Sequence, residues 1–262
     1  MRQIYKASLV FLLKDVYSKY PVTDAVILCN GKQNPYTRKS DGYYVFSNLY
    51  PGKYDVDISC KGYAKVNMSI DLRENETKVM SLDMSYTPDN KSLTHVTRFI
   101  ITLNHCKKNL ADTDVSIRLK NEASFIKLVD PVEEGAQEIK LNIEELISGI
   151  IGQKYIYKLK NQEHELYILG FDKEKKVYTL REPAPEKLEP GGQFYPIWDL
   201  KTGSTGMLIM PMIDQFMKED ELTFECKTEE LRGKVMFNVK GLHQSGEAIY
   251  GDIKLRKIPK KE

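Results

Sequence analysis

Apolar and polar residues alternate with a period of two along most of the chain, and clusters of Gly, Pro, Asn and Asp interrupt the alternation at short intervals. Leu9–Lys14 is a nearly continuous apolar run. Ala25–Cys29 follows Pro21 and Asp24 and stops at Asn30-Gly31, a dipeptide suited to a tight turn. Ser40-Asp41-Gly42 leads into Tyr43–Phe46, where Tyr43 and Val45 share one face and Tyr44 and Phe46 the other. Beyond Pro51-Gly52, Tyr54, Val56 and Ile58 alternate with Asp55, Asp57 and Ser59. Gly62-Tyr63 breaks the run, Val66, Met68 and Ile70 resume it, and Glu74-Asn75-Glu76 turns the chain into Lys78–Met84. Seven short strands in about 80 residues, with no helical period, predict an antiparallel β-sandwich over residues 1–88.

Ser85–Leu93 is polar and contains a proline, which marks a boundary, and residues 94–262 form a second, β-rich domain. Arg98–Leu103 reads as its first strand. A shift of 90 lays Leu13 on Leu103, Thr23-Asp24 on Thr113-Asp114 and Ile27 on Ile117, which leaves open a second sandwich beginning there; the similarity is short and the turn motif is not repeated behind it. The apolar spacing of Asn142–Ile151, with Asn142 at the cap position, predicts a short helix inserted near 142–151. Tyr155–Leu159, Glu165–Phe171 and Val177–Arg181 read as strands in series, and Pro183–Gly192 as a loop. The four methionines of Met207–Met217 suit a second helix or a core strand. Leu222–Cys226, Lys234–Lys240 and Ile249–Lys257 complete the strands. The fold class is thus mainly β: a seven-stranded sandwich followed by a β-rich domain with one or two short helices.

The run Asp41-Gly-Tyr-Tyr-Val-Phe46, then Asn48-Leu49-Tyr50-Pro51-Gly52-Lys53-Tyr54, then Lys61-Gly62-Tyr63, resembles the signature of carboxypeptidase-regulatory-like and transthyretin-like (prealbumin-like) sandwiches. The resemblance rests on Gly42, Tyr43, Phe46, Leu49, Pro51, Gly52, Tyr54, Gly62 and Tyr63 and covers about a third of the chain; it implies a fold, which hosts many functions. Gly42 and Gly52 stand where turns demand positive φ, Pro51 presets its turn, and the aromatics fill the space between sheets. Pilin repeats that close a Lys–Asn isopeptide bond are similar too. Here Ile58 occupies the place of their acid and Lys78–Met84 carries no Asn, so no such bond is expected at Lys14.

Charge and chemistry narrow the function by exclusion. Lys and Arg number 39 against 37 Asp and Glu, a net charge of +2, which argues against a nucleic-acid partner. The apolar stretch Ala7–Leu13 is seven residues long and runs into Lys14-Asp15, so it reads as a strand. Nothing reaches the length of a membrane span. Synthesis in the cytoplasm without a conventional signal peptide, and incorporation into an assembled particle, is the expectation. Cys29, Cys60, Cys106 and Cys226 are widely spaced and suggest no zinc ribbon; a Cys29–Cys60 disulfide is left open. His95, His105, His164 and His243 show no ligand spacing, and no nucleophile elbow, phosphate loop or dinucleotide fingerprint occurs, so neither a catalytic residue nor a metal or other cofactor is assigned.

The candidate binding surface is Phe194, Tyr195 and Trp198, an aromatic cluster after a Gly-Gly turn that includes the sole tryptophan; the competing reading, favoured because large aromatics are usually buried, is that Phe194 and Trp198 fill the second core. The sequence therefore points to a non-enzymatic structural protein whose partners are other protein subunits, in a setting such as a phage-tail-like or contractile-injection particle. The alternatives are a carbohydrate- or cell-wall-binding module acting through the aromatics, and an accessory domain of an enzyme.

Overall fold

The computed structural model describes residues 6–32, 36–38, 41–87, 90, 97–120, 126–143, 151–211, 221–240 and 246–259, and among these every regular element is a strand. The first sandwich comprises β1 (Ala7–Asp15), β2 (Val26–Cys29), β3 (Thr37–Arg38), β4 (Tyr43–Ser47), β5 (Gly52–Ser59), β6 (Val66–Leu72) and β7 (Lys78–Met84). One sheet has the order β3-β4-β1-β7 and the other β2-β5-β6. The pairs are antiparallel except β1–β7, which run parallel, because the last strand returns beside the first after crossing the other sheet. Tyr44 and Phe46 of β4, Leu9, Phe11 and Leu13 of β1, and Val56 and Ile58 of β5 fill the core, as the period of two requires.

The second sandwich comprises β8 (Arg98–His105), β9 (Lys108–Asn109), β10 (Asp114–Lys120), β11 (Glu138–Ile139), β12 (Gln153–Leu159), β13 (Gln162–Asp172), β14 (Val177–Leu180), β15 (Gln193–Lys201), β16 (Met207–Pro211), β17 (Glu221–Lys227), β18 (Leu231–Asn238), β19 (Ala248–Lys254) and β20 (Arg256–Lys257). Its smaller sheet has the order β16-β8-β19, with β9 beside β8. Its larger sheet has nine strands, β11-β14-β13-β12-β15-β10-β17-β18-β20.

Six strands of each sandwich follow one pairing plan. Val10 faces Val45 across β1–β4 as Ile100 faces Ile209 across β8–β16. Leu13 faces Leu82 in the parallel pair β1–β7 as Leu103 faces Ile253 in the parallel pair β8–β19. Ile27 faces Ile58 across β2–β5 as Ile117 faces Cys226 across β10–β17. The glycine turn is repeated as well, contrary to the expectation from sequence. Gly42 O accepts Leu13 N at 3.0 Å, and Gly206 O accepts Leu103 N at 2.9 Å. The second turn escapes a fixed-shift comparison because β11–β15 are inserted between β10 and β16. That insertion extends the larger sheet outward from the β10 edge.

Residues 144–150 of the expected helix and 212–220 of the methionine-rich segment lie outside the described residues, while Met207–Pro211 is strand β16, buried at Leu208, Ile209 and Met210. Strand β15 has no strand expectation in the sequence. A Gly-Gly turn precedes it and Pro196 interrupts it, yet it is a central strand between β12 and β10. Proline is tolerated there because the β10–β15 ladder runs from Asp114–Lys201 to Arg118–Ile197 and stops before Pro196. Cys29 and Cys60 are free thiols.

The two sandwiches meet at a buried carboxylate. Asp15, at the end of β1, is 4% exposed. Its Oδ1 accepts Tyr17 N at 3.0 Å, Ser18 N at 2.7 Å and Ser18 Oγ at 2.9 Å. Its Oδ2 accepts the Tyr63 hydroxyl at 3.1 Å, and the Tyr86 hydroxyl is directed at the same carboxylate. Burial first, and the Asp15 charge with it, hold the Tyr17, Tyr63 and Tyr86 hydroxyls well above their ordinary range, so they remain donors. The turn that Asp15 organises delivers Val16 into the second core. Tyr17 donates its hydroxyl to Ile209 O at 2.5 Å, with its ring centroid 5.4 Å from Tyr86 and 6.3 Å from Trp198.

Two predictions follow from this geometry. A Cβ on Gly42 meets Leu13 O at 2.7 Å and one on Gly206 meets Leu110 N at 3.0 Å, both at positive φ, whereas Gly135 shares the φ but has open space. Gly42→Ala and Gly206→Ala are expected to cost about 2–3 kcal/mol and Gly135→Ala about 1 kcal/mol, read from urea unfolding. Asp15→Ala strands several buried donors and is expected to cost about 3 kcal/mol, with a single unfolding transition separating into two as the sandwiches uncouple.

Candidate interaction groove

Because successive residues of a strand point to opposite faces, β10, β12, β15 and β17 each present one side chain set to the core and one to the exterior. Val115, Ile117 and Leu119 of β10 point inward with Phe224 and Cys226 of β17. Ser116 and Arg118 point outward with Glu225 and Lys227. This outward face, together with Ala64, Val66, Asn67 and Met68 of the first sandwich, lines an open groove of 1770 Å³ between the two sandwiches.

Charged residues on the floor are matched across strands. Arg118 reaches Glu225 at 2.5 Å and Glu163 at 3.1 Å. Lys154 reaches Asp199 at 2.6 Å and Glu165 at 3.5 Å, and Lys158 reaches Glu163 at 3.4 Å. Asp199 also accepts the Ser116 hydroxyl at 2.5 Å. Ile156, Tyr195 and Ile197 form a small buried apolar cluster in the middle of this grid. Partial burial works against the Glu225 charge, but the hydrogen bond and the positive field of Arg118, with Lys120 and Lys234 beyond it, more than offset this and hold its carboxyl below the ordinary range. For Arg118 the same burial is outweighed by Glu225 and Glu163, so its guanidinium stays charged.

The aromatic residues picked out by sequence are placed differently from a binding surface. Phe194 and Trp198 lie in β15 and point into the second core, 1% and 4% exposed. Phe194 packs edge-on to Tyr155 and Tyr157. Tyr195 points the other way but is 6% exposed, covered with Ile156 and Ile197, and its hydroxyl bonds to Gln193. Three large rings alternating on a central strand are core material. The residues of the signature occupy the first sandwich. Gly42 closes the β1–β4 turn, Phe46 is fully buried, and Tyr43, Leu49 and Tyr54 are half-buried. Pro51 and Gly52 form the exposed turn into β5, while Gly62 packs against Asn90 and Tyr63 against Asp15.

Arg118, Lys154, Asp199 and Glu225 were not singled out by sequence. The signal lay in the alternation of Asp114–Lys120 and Leu222–Lys227, whose polar halves show only that a face is outward. His164 is held at 3.0 Å from Glu186 rather than lying free in a turn. Among the described residues, a nucleophile and a base lie side by side at the β8–β9 turn, away from the groove. There Cys106 Sγ lies 3.3 Å from His105 Nε2, and His105 Nδ1 donates to Leu255 O at 3.0 Å. Among the described residues no group of three or more His, Cys, Asp or Glu is placed to hold a metal ion, and no helix is long and apolar enough to cross a membrane.

No protein-family model matches the chain, and no curated protein does. Among solved structures, the chain is similar to the Bacillus anthracis TIE protein at 13% identity and a TM-score of 0.29, covering 96% of this chain and 34% of that one, so it spans about a third of that protein's length. It is similar to a streptococcal ancillary pilin at 10% identity and a TM-score of 0.26, covering 97% and 69%. It is also similar to the minor pilin of Streptococcus agalactiae at 9% identity and a TM-score of 0.25, covering 98% of each chain. Two of the three are pilins by name, and scores of this size carry no argument.

Since the Glu225 carboxyl is depressed in the folded state, its contribution to stability is present above the unfolded value of about 4.3 and is lost as pH falls through the folded value. Between pH 5 and pH 3 the urea midpoint of the wild type is expected to fall more than that of Glu225→Gln; equal falls would show that the pair adds no pH-dependent stability.

Proposed function

We propose that this chain is a non-enzymatic interaction protein: two β-sandwich modules, residues 1–88 and 94–262, that hold another protein chain within a larger assembly. The observation that carries the reading is the groove. A nine-stranded sheet is wider than its own sandwich needs, and the strands added to it extend a floor that the first sandwich overhangs. The Asp15 junction ties Val16 and Tyr17 into the second sandwich, so the groove keeps its width without a ligand. A preformed concave surface favours binding because little ordering entropy is lost on association.

A phage-tail-like or contractile-injection particle is the assembly we favour, since such particles are built from modular β subunits. A sugar-binding role through Phe194, Tyr195 and Trp198 is not favoured, because all three rings are covered.

The test is isolation of the tagged protein from its own host under gentle conditions, with identification of co-purifying chains and electron microscopy of the same fraction. Recovery with defined protein partners in a large particle is the expected result. Recovery of a lone monomer would sink the proposal.

A further inference from the structure

Most charges on the groove floor neutralise one another, but one flank is left unbalanced. Lys227 of β17 stands directly opposite Arg232 of β18, and Arg232 directly opposite Arg256 of β20. Residues directly opposite across an antiparallel pair project from the same face, so three cations form one row across three strands, separated by about 5 Å at the backbone. All three line the groove and are exposed. Among the described residues none of the three makes an ion pair with a carboxylate, whereas Arg118, on the same groove floor, makes two. Like charges set directly opposite one another destabilise a sheet. A fold that sets three cations in one row across three strands, with no ion pair to relieve them, bears a local cost, of the kind expected where a surface is used for binding.

We infer that the row Lys227–Arg232–Arg256 is a docking site for an extended acidic segment of a protein partner, an inference that rests on reading the chain as an interaction protein. Charge complementarity sets the sign of the ligand, and paired guanidinium groups suit carboxylates that they grip with two hydrogen bonds each. The wall and floor beside the row set its class. Val66, Met68 and Leu82, all partly exposed, offer aliphatic surface, and among the described residues no aromatic side chain lines the groove. Single-stranded nucleic acid and sugars are gripped through exposed rings that stack on bases or pyranose faces, which this groove lacks. An extended peptide places alternate side chains on one face about 7 Å apart, within reach of long basic side chains, with its apolar residues free to meet the aliphatic wall.

The test uses a labelled synthetic peptide of alternating Glu and Val against the full chain, with the Gln-for-Glu peptide, a single-stranded oligonucleotide and a sulfated glycan as comparisons. The variants are Lys227→Gln/Arg232→Gln/Arg256→Gln and, as a charge-matched control away from the groove, Lys173→Gln/Lys175→Gln/Lys176→Gln. The acidic peptide is expected to bind the wild type and the control equally and the row variant at least about tenfold more weakly, with a shallower dependence on salt. Without ligand the row variant is expected to melt about 1–3 °C higher, because the repulsion is relieved. Absence of peptide binding, equal weakening in both variants, a lower melting temperature in the row variant, or tighter row-dependent binding of the oligonucleotide or glycan would each overturn the assignment. Returning the row variant to the host separates this inference from the broader one. A wild type found in an assembly with the row variant still in place removes the docking site and leaves the interaction protein. A wild type recovered alone removes the interaction protein whatever the peptide does.

Discussion

The tertiary arrangement turns on a single buried carboxylate. A charge at the position of Asp15 is costly to remove from water unless hydrogen bonds replace its hydration. Here two backbone N–H groups and the hydroxyls of Ser18, Tyr63 and Tyr86 do so. Those donors come from the β1 exit, the Gly62-Tyr63 turn and the segment after β7, so satisfying one carboxylate fixes three parts of the first sandwich relative to one another. The same turn places Val16 and Tyr17 on the second sandwich, where Tyr17 bonds to Ile209 O in β16. The junction is therefore a continuous piece of packed and hydrogen-bonded structure and not a hinge. The form of the groove beyond it follows from that.

Within that frame the second sandwich repeats the strand plan of the first and adds to it. The β1/β4/β7 and β2/β5/β6 relationships recur as β8/β16/β19 and β10/β17/β18. The inserted β11–β15 extend one sheet and supply the part of the floor that carries Ile156, Ile197 and Asp199. Where the floor is broad, its charges are satisfied internally by cross-strand pairs. Where it narrows to β17, β18 and β20, cations face cations. The groove is thus polarised along its width, with a quiet, self-neutralised half and a basic flank.

Much of the first sandwich was legible in the sequence, because there the physics is local. Lys78–Met84 is read as a strand and is one, since period-two burial and bounding turns need no distant information. Gly42 and Pro51-Gly52 announce their turns for the same reason. The second sandwich was legible at its start, in the likeness of Ile27 to Ile117, and lost where the insertion displaced the matching Gly206 turn. Strand β15 is hidden in the sequence because Gly-Gly and Pro are local loop signals, and only its neighbours β12 and β10 override them. Phe194 and Trp198 suit either a core or a binding surface when only the sequence is considered. Whether an aromatic is core or surface depends on which face its strand buries, and that is a property of pairing.

The sequence by itself determined the class of this protein: a mainly β chain that begins with a sandwich, because alternation, turn glycines and prolines act over a few residues and survive any tertiary context. The tertiary structure alone decided the rest. It brought Asp15 to Tyr63 and Tyr86, paired Arg118 with Glu225 across 107 positions of chain, and set Lys227, Arg232 and Arg256 in one row. Each of these depends on strand register between segments far apart in sequence, and a shift of one residue would send every one of those side chains to the opposite face.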